Sequence, residues 1–197
     1  MSAGRREGFG IVLGHGASGT AASMAPYVDG LRARGLTADA IDLRRGRAED
    51  AVAGFWSAAE AIGASRAGAG DGSRTGLVVG GQSFGGRVAS LVAAERRAEV
   101  RALVCFSYPL HRPGAAETWD ARTAHWPLIA CPVLLLSGES DPFARIDLLR
   151  AALDRLPHAE LVTYPRVGHG LLAVLPDVLD RVAAFLGPGT WTSRSAR

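Results

Sequence analysis

Short apolar runs alternate with alanine-rich segments of helical periodicity along almost the whole chain. The apolar runs, which predict β-strands, lie at residues 9–13, 36–43, 76–80, 100–106, 133–137 and 160–164. The segments that predict α-helices lie at residues 25–34, 48–66, 87–97, 146–156 and 171–186. This alternation predicts a parallel sheet with helices on both faces, because every crossover must return the chain to the same end of the sheet. We therefore expect an α/β fold, a three-layer sandwich around a mostly parallel sheet of about six strands.

The domain organisation follows from length and from the position of the glycine-rich segments. The chain has 197 residues, which suit one domain. The segment AGAGDGSRTG at residues 67–76 is predicted to be a loop, since neither flanking part could form a core alone. We expect one domain over residues 1–187, and a disordered tail over residues 188–197, which contain helix breakers and no periodicity.

The sequence predicts a cytoplasmic protein that does not associate with membranes. No apolar run approaches the roughly 20 residues that a membrane-spanning helix needs. The first residues, MSAGRREGFG, lack the apolar stretch of a secretory signal. Cys105 and Cys131 fall in or beside apolar, strand-like segments, which predicts buried free thiols and a reducing compartment.

The positive charge is carried by arginine alone. All 22 basic residues are Arg and the formal net charge is +3. Because most of these arginines are scattered, we interpret them as solvated surface residues and expect no nucleic-acid partner. The absence of Lys excludes a P-loop, a Schiff-base lysine and a Ser-Lys dyad.

A G-x-S-x-G motif follows the third predicted strand. Gly81, Ser83 and Gly85 stand in the segment GGQSFGGRVASLVAAERR, between a strand and a strongly predicted helix. A nucleophile elbow needs this context, because the sharp turn strains the serine backbone and leaves no space for Cβ atoms two residues away on either side. The sequence therefore predicts Ser83 as a nucleophile exposed at the carboxyl end of a strand.

An acid and a histidine follow later strands. Asp141 lies in the turn SGESDPF after the fifth strand, and Glu139 in the same turn is the alternative acid. His169 lies on a glycine-flanked loop after the last strand, where a packing role explains it poorly. The chain order Ser83, Asp141, His169 is that of the α/β hydrolases.

The segment LGHGASGTAASMAP offers a competing interpretation. Its G-x-G-x-x-G spacing, with Asp39 and Asp42 about twenty residues on, is also that of a dinucleotide-binding loop. A dinucleotide-binding helix would place Pro26 in its interior, at a cost of about 3 kcal/mol, whereas a longer loop with Ser23 as the helix cap places Pro26 harmlessly in the first turn. In that second case the loop can serve as part of an oxyanion hole, for which we predict the backbone N–H groups of Ala17 and Phe84.

From residue 9 to residue 186 the chain resembles the α/β-hydrolase superfamily. The segments GHGASG, GGQSFGGR, CFSYPLHRPG and SGESDPF are similar to a small dienelactone-hydrolase-like group whose relatives include a testis-expressed protein and a chromatin-complex subunit. The resemblance implies a single-domain hydrolase, but this chain has serine where dienelactone hydrolases have cysteine, so their substrate is not transferred. Because few relatives are known as enzymes, the resemblance also leaves open a non-catalytic binding or scaffold protein.

These observations favour a serine hydrolase acting on a small-molecule ester or thioester, without cofactor or metal. The connection at residues 107–130 is too short for a lid domain, which predicts a shallow, open pocket that prefers short acyl groups. We expect Phe84, His111 and either Trp119 or Trp126 at its rim, with His111 as a substrate-binding residue. The sequence does not predict the oligomeric state.

Overall fold

The computed structural model describes residues 10–68 and 77–187. Its strands are β1 (Gly10–Gly14), β2 (Thr37–Ile41), β3 (Leu77–Gln82), β4 (Val100–Phe106), β5 (Val133–Gly138) and β6 (Ala159–Tyr164). Its α-helices are α1 (Ala25–Arg32), α2 (Ala48–Gly68), α3 (Phe84–Glu95), α4 (Trp119–Thr123), α5 (Ile146–Ala152) and α6 (Leu175–Phe185). The strands form one sheet in the order β2-β1-β3-β4-β5-β6, and every pairing between neighbours is parallel.

The sheet is covered on both faces. Alternate strand residues belong to two different apolar clusters, as expected when successive side chains point to opposite faces. Val79 of β3 packs in the cluster that includes buried residues of α2, α3 and α5, whereas its neighbour Val78 packs in the cluster with α1 and α6. The predicted α/β fold, with six parallel strands in a three-layer sandwich, is therefore confirmed.

Most predicted elements are present with shifted ends. Helix α3 begins at Phe84, three residues earlier than predicted, and the segment predicted as a helix from residue 171 starts with a 3₁₀ turn at Leu172–Val174 before α6. The segment predicted at residues 146–156 also ends in a 3₁₀ turn, Leu153–Arg155. Helices with terminal 3₁₀ turns are common, and a periodicity argument does not separate the two types.

The start of the first helix differs from the prediction. A 3₁₀ turn at Ala21–Met24 precedes α1, and Thr20, not Ser23, is its capping residue. Ser23 instead faces backward, where its hydroxyl donates to the Thr20 carbonyl at 2.6 Å. Pro26 lies in the first turn of α1, as predicted, where its missing N–H leaves no hydrogen bond unmade.

The remaining predictions concern the two cysteines, membrane-spanning helices and the two ends of the chain. Cys105 and Cys131 are buried and free, as predicted. No helix in residues 10–68 or 77–187 combines the length and apolar character that crossing a lipid bilayer requires. The proposed tail at residues 188–197 and the signal-free first residues lie outside the described residues.

Candidate active site

The strand order brings two loops together at the carboxyl edge of the sheet. After β1 the chain crosses outward to β2, and β3 then returns to the other side of β1. The loops that follow β1 and β3 therefore leave the sheet side by side and in opposite directions. A parallel α/β sheet forms its ligand crevice at such a reversal, and here the loop after β3 carries Ser83.

Ser83 occupies a strained turn between β3 and α3. Its φ is 50° and its ψ is −112°, a conformation that non-glycine residues rarely adopt. The Ser83 N–H donates to the Phe106 carbonyl of β4 at 2.9 Å, which ties the turn to the neighbouring strand. A Cβ atom on Gly81 or on Gly85 would lie 2.4 or 2.2 Å from the Gly14 carbonyl oxygen, so both positions require glycine.

Hydrogen bonds join Ser83, His169 and Asp141 in series. The Nδ1 atom of His169 lies 2.8 Å from Oδ2 of Asp141, and its Nε2 atom lies 2.8 Å from Oγ of Ser83. A carboxylate accepts only, so in the neutral ring Nδ1–H donates to Asp141 and Nε2 accepts the proton of the Ser83 hydroxyl. The structure thus brings together the three residues predicted as a triad.

Asp141 is held by its own turn. Its side chain is fully buried, and its second oxygen, Oδ1, accepts the N–H of Phe143 at 2.8 Å. The ring of Phe143 packs against the His169 imidazole, with centroids 4.6 Å apart. The alternative acid, Glu139, faces away and accepts the hydroxyl of Thr163 at 2.8 Å.

The two residues predicted to form the oxyanion hole, Ala17 and Phe84, both line the cleft of Ser83. Phe84 is the first residue of α3, so its N–H has no partner within the helix. Ala17 lies in the loop after β1 and lines the same cleft as Ser83 and Phe84. Within residues 10–68 and 77–187, neither N–H has a hydrogen-bond partner, and their role as the oxyanion hole stays a prediction.

Comparison with known proteins places this arrangement in a family. Residues 47–172 match a model described as an alpha/beta hydrolase domain, and this segment contains Ser83, Asp141 and His169. The chain belongs to the α/β hydrolase family. The narrower resemblance to dienelactone hydrolases remains a prediction, because the matching model describes only the broader domain.

Solved structures share the fold of this α/β hydrolase. A monoacylglycerol lipase of Paleococcus ferrophilus matches with a TM-score of 0.73 and 15% identity, covering 90% of this chain and 93% of the lipase. Est1E of Butyrivibrio proteoclasticus, solved with ferulic acid, matches with a TM-score of 0.73 and 16% identity, covering 94% and 91%. Esterase 2 of Thermogutta terrifontis, phosphorylated by paraoxon, matches with a TM-score of 0.72 and 20% identity, covering 90% and 81%.

His15 fixes the loop after β1 in this α/β hydrolase. Its buried ring donates Nδ1–H to the Gly16 carbonyl at 2.7 Å and accepts the Leu43 N–H at Nε2, at 2.9 Å. These two bonds tie the loop that carries Ala17 to the segment after β2. In the neutral ring these bonds place the proton on Nδ1, because Nε2 accepts the Leu43 N–H.

The two aspartates that could have served a dinucleotide are engaged elsewhere. Oδ1 of Asp42 accepts the Ala21 N–H at 2.7 Å and so completes the start of the 3₁₀ turn. Asp39 pairs with Arg32 and Arg66 on the outer side of β2. The acids of the apparent dinucleotide pattern therefore have structural partners, which sequence spacing alone does not reveal.

The structure places His111 away from the lining of the cleft, and its predicted role in substrate binding stays a prediction. His111 is buried, does not line the cleft, and uses both ring nitrogens within the protein. Its Nδ1–H donates to the Arg112 carbonyl at 2.9 Å, and its Nε2 accepts the Arg145 N–H at 3.0 Å. It joins the loop after β4 to the start of α5, while the nearby residues Pro109 and Arg112 line the cleft.

The cleft beside Ser83 has a volume of about 650 Å³ and opens to solvent. The connection between β4 and β5, including α4, forms one wall, and Phe84 and Phe143 lie next to Ser83. Trp126 is fully buried in the core and Trp119 stacks under Arg155, so neither tryptophan lines the cleft. Sequence reasoning also missed four arginines on this wall and its surroundings, Arg47, Arg87, Arg112 and Arg122.

Proposed function

We propose that this protein is a serine hydrolase that cleaves a small ester or thioester through an acyl-enzyme intermediate. The observation that carries the proposal is the series of hydrogen bonds from Asp141 through His169 to Ser83, on a strained turn beside the free N–H of Phe84. In this arrangement a base, its orienting acid and an oxyanion donor all meet one hydroxyl.

In the first half of the reaction, Oγ of Ser83 attacks the carbonyl carbon and its proton passes to Nε2 of His169. Ala17 and Phe84 donate their N–H groups to the oxyanion that forms. The bond to the leaving oxygen or sulfur then breaks, and His169 returns the proton to the departing alcohol or thiol.

In the second half, water attacks the acyl-enzyme and gives its proton to His169. The bond between the acyl carbon and Oγ breaks, the proton returns to Ser83, and a carboxylic acid leaves. Asp141 keeps the Nδ1–H tautomer of His169 and stabilises the imidazolium in both halves. The reaction balances without cofactor or metal.

The structural neighbours support the reaction class. Two of those compared above are called a lipase and an esterase, and the esterase is phosphorylated by paraoxon, an organophosphate. We expect the same kind of reagent to react with Ser83, because a phosphonyl group accepts the serine oxygen as an ester carbonyl does.

The test is labelling of the folded protein with a fluorophosphonate, followed by identification of the modified residue. We expect labelling at Ser83 and none in Ser83→Ala. The matched control is Ser140→Ala, which removes an exposed serine one residue from Asp141 and should label like the unmodified chain. A folded protein that neither labels nor hydrolyses esters would instead favour the binding or scaffold protein, with thermal melting confirming that each variant is folded.

A further inference from the structure

The cleft beside Ser83 is strongly basic. Among the described residues, four arginines line it, Arg47, Arg87, Arg112 and Arg122, against one acidic residue, Glu49. They come from the segment after β2, from α3, from the loop after β4 and from α4, so the positive charge is assembled by the fold and not by a sequence run. The same cleft contains the nucleophile predicted from the sequence.

Glu49 neutralises only part of this charge. Its Oε1 accepts a hydrogen bond from Arg87 at 2.8 Å, and its Oε2 lies 3.6 Å from Nε of Arg47. A backbone hydrogen bond and the bond from Arg87 hold the pKa of Glu49 below its usual range, so it remains a carboxylate. One negative charge is thus shared between two guanidinium groups.

Arg112 and Arg122 have no acidic partner among the residues of the two described ranges. Arg122 is half-buried and donates Nη1–H to the Pro109 carbonyl at 2.9 Å. Burial lowers the pKa of Arg122, and the nearby charges of Arg87 and Arg112 lower it further. Arg112 is exposed, and it lines the same cleft as the partly desolvated Arg122. Cations that line one cleft favour an anion that relieves their repulsion.

We propose that the substrate carries a negative charge, a carboxylate or a phosphate, which Arg112 and Arg122 bind while the ester or thioester carbonyl lies at Ser83. The assignment rests on the proposed hydrolase function for the position of the carbonyl. Arginine suits this role, since its planar N–H groups bind carboxylate and phosphate oxygens in pairs.

The first experiment separates binding from chemistry. 4-Acetoxybenzoate and 4-acetoxybenzamide have nearly the same shape and the same ester, but only the first is an anion. We expect calorimetric titration into Ser83→Ala to show about tenfold tighter binding of the benzoate. Equal binding within this pair, together with equal binding of monomethyl succinate and methyl succinamate to the same variant, would overturn the anion site without touching the proposed hydrolase function.

The second experiment measures kcat/KM of the unmodified enzyme for the same pair, together with monomethyl succinate and methyl succinamate. The second pair moves the charge from the leaving group to the acyl group and so reports on which side of the scissile bond it binds. We expect the anion to be preferred in at least one pair, and the preference to shrink as ionic strength rises from about 0.02 M to about 0.5 M. A preference for the neutral compound in both pairs would overturn the proposal.

Variants then locate the site. We expect Arg112→Gln to reduce the anion-to-neutral ratio of kcat/KM severalfold, and Glu49→Gln to raise it, because that variant releases Arg87 from its ion pair. The matched control is Arg97→Gln, which removes an exposed arginine after the far end of α3 and should leave the ratio unchanged. An equal loss of the ratio in Arg112→Gln and Arg97→Gln would mean that overall charge, not the cleft, selects the substrate.

The two proposals fail in different ways. If Ser83→Ala prefers the benzoate but the unmodified chain hydrolyses none of the four esters, the anion site stands and the hydrolase function fails. If all four esters are hydrolysed without regard to charge, the hydrolase function stands and the anion site fails.

Discussion

Gly138 and Val167 are in direct contact at the end of β5, where a Cβ atom on Gly138 would lie 2.2 Å from the Val167 carbonyl oxygen. The same carbonyl accepts the N–H of Ser140 at 2.9 Å. This close approach sets the turn that carries Asp141 against the loop that carries His169. The distance between the side chains of Asp141 and His169 therefore depends on the absence of a side chain at position 138.

We expect Gly138→Ala to lower kcat/KM for a simple ester by about 100-fold, because the new methyl group displaces the His169 loop by roughly 1 Å. The control is Gly170→Ala, next to His169 itself, where a Cβ atom would meet no heavy atom within 4 Å. Steady-state assays measure kcat/KM of both variants. Thermal melting shows whether a loss of activity comes from a displaced His169 or from unfolding. Equal activity in the two variants would show that the contact does not position His169.

Replacing each of the two acids in the turn after β5 by its amide distinguishes their roles. Asp141→Asn should reduce kcat by about 10⁴, because an amide at this position favours the wrong tautomer of the histidine. Glu139→Gln should retain most activity, since Glu139 contacts Thr163 and Arg150 rather than His169. Steady-state kinetics with phenyl acetate measure both, and a larger loss in Glu139→Gln would make Glu139 the triad acid.

Acyl-chain length tests the shape of the cleft. A buried methylene contributes about 0.8 kcal/mol, so an enclosed tunnel would raise kcat/KM steadily with chain length. The cleft is open and four of its lining residues are arginines, and we therefore expect kcat/KM for p-nitrophenyl esters to level off near acetyl to butyryl, by the same burial argument. A maximum at palmitate would indicate a cover over the cleft supplied by residues outside those described or by a second chain.

His125 should make the folded protein sensitive to mild acid. Burial, together with the charge of Arg87, lowers its pKa from 6.5 to about 4. Between these pH values the unfolded chain binds a proton that the folded chain does not, so the free energy of unfolding falls as the pH drops from 6.5 toward 4. The contribution is complete above this window and amounts to at most about 3 kcal/mol.

Urea unfolding at several pH values measures this contribution. His125→Gln keeps a donor for Ser90, whose Oγ lies 2.8 Å from Nε2 of His125, but it does not titrate, so its pH dependence should be flatter than that of the unmodified protein. The control His158→Gln replaces an exposed histidine and should follow the unmodified protein. Parallel curves for all three proteins would contradict the depressed pKa.

The sequence predicted the strands and the serine, acid and histidine because each depends on local pattern. Strand periodicity, the glycines around Ser83 and the loop position of His169 are all visible within a few residues. The closeness of Asp141 and His169 was predictable too, since the carboxyl ends of neighbouring parallel strands meet at one edge.

The contacts of His111 and the basic cleft form between segments that are far apart in the sequence. The spacing of residues along the chain does not predict which of these segments meet. His111 follows β4 just as a pocket residue would, yet its partners lie in the backbone of residues 112 and 145. The arginines appear scattered in the sequence and were interpreted as surface residues, but four of them meet because their segments all end at the same edge of the sheet. The sequence pattern did not predict capping at Thr20, because a 3₁₀ turn precedes α1 and moves the capping position toward the N-terminus.

The turn at residues 96–99, between α3 and β4, lies at the opposite edge of the sheet and is exposed at all four positions. Strand β3 has six residues, so this turn and Ser83 are separated by roughly 20 Å of sheet. A fluorophore, an affinity tag or a solid support attached there would leave the mouth of the cleft facing the solution. Because all strands run in the same direction, the protein can be immobilised through this turn while Ser83, at the other edge of the sheet, stays accessible to substrate.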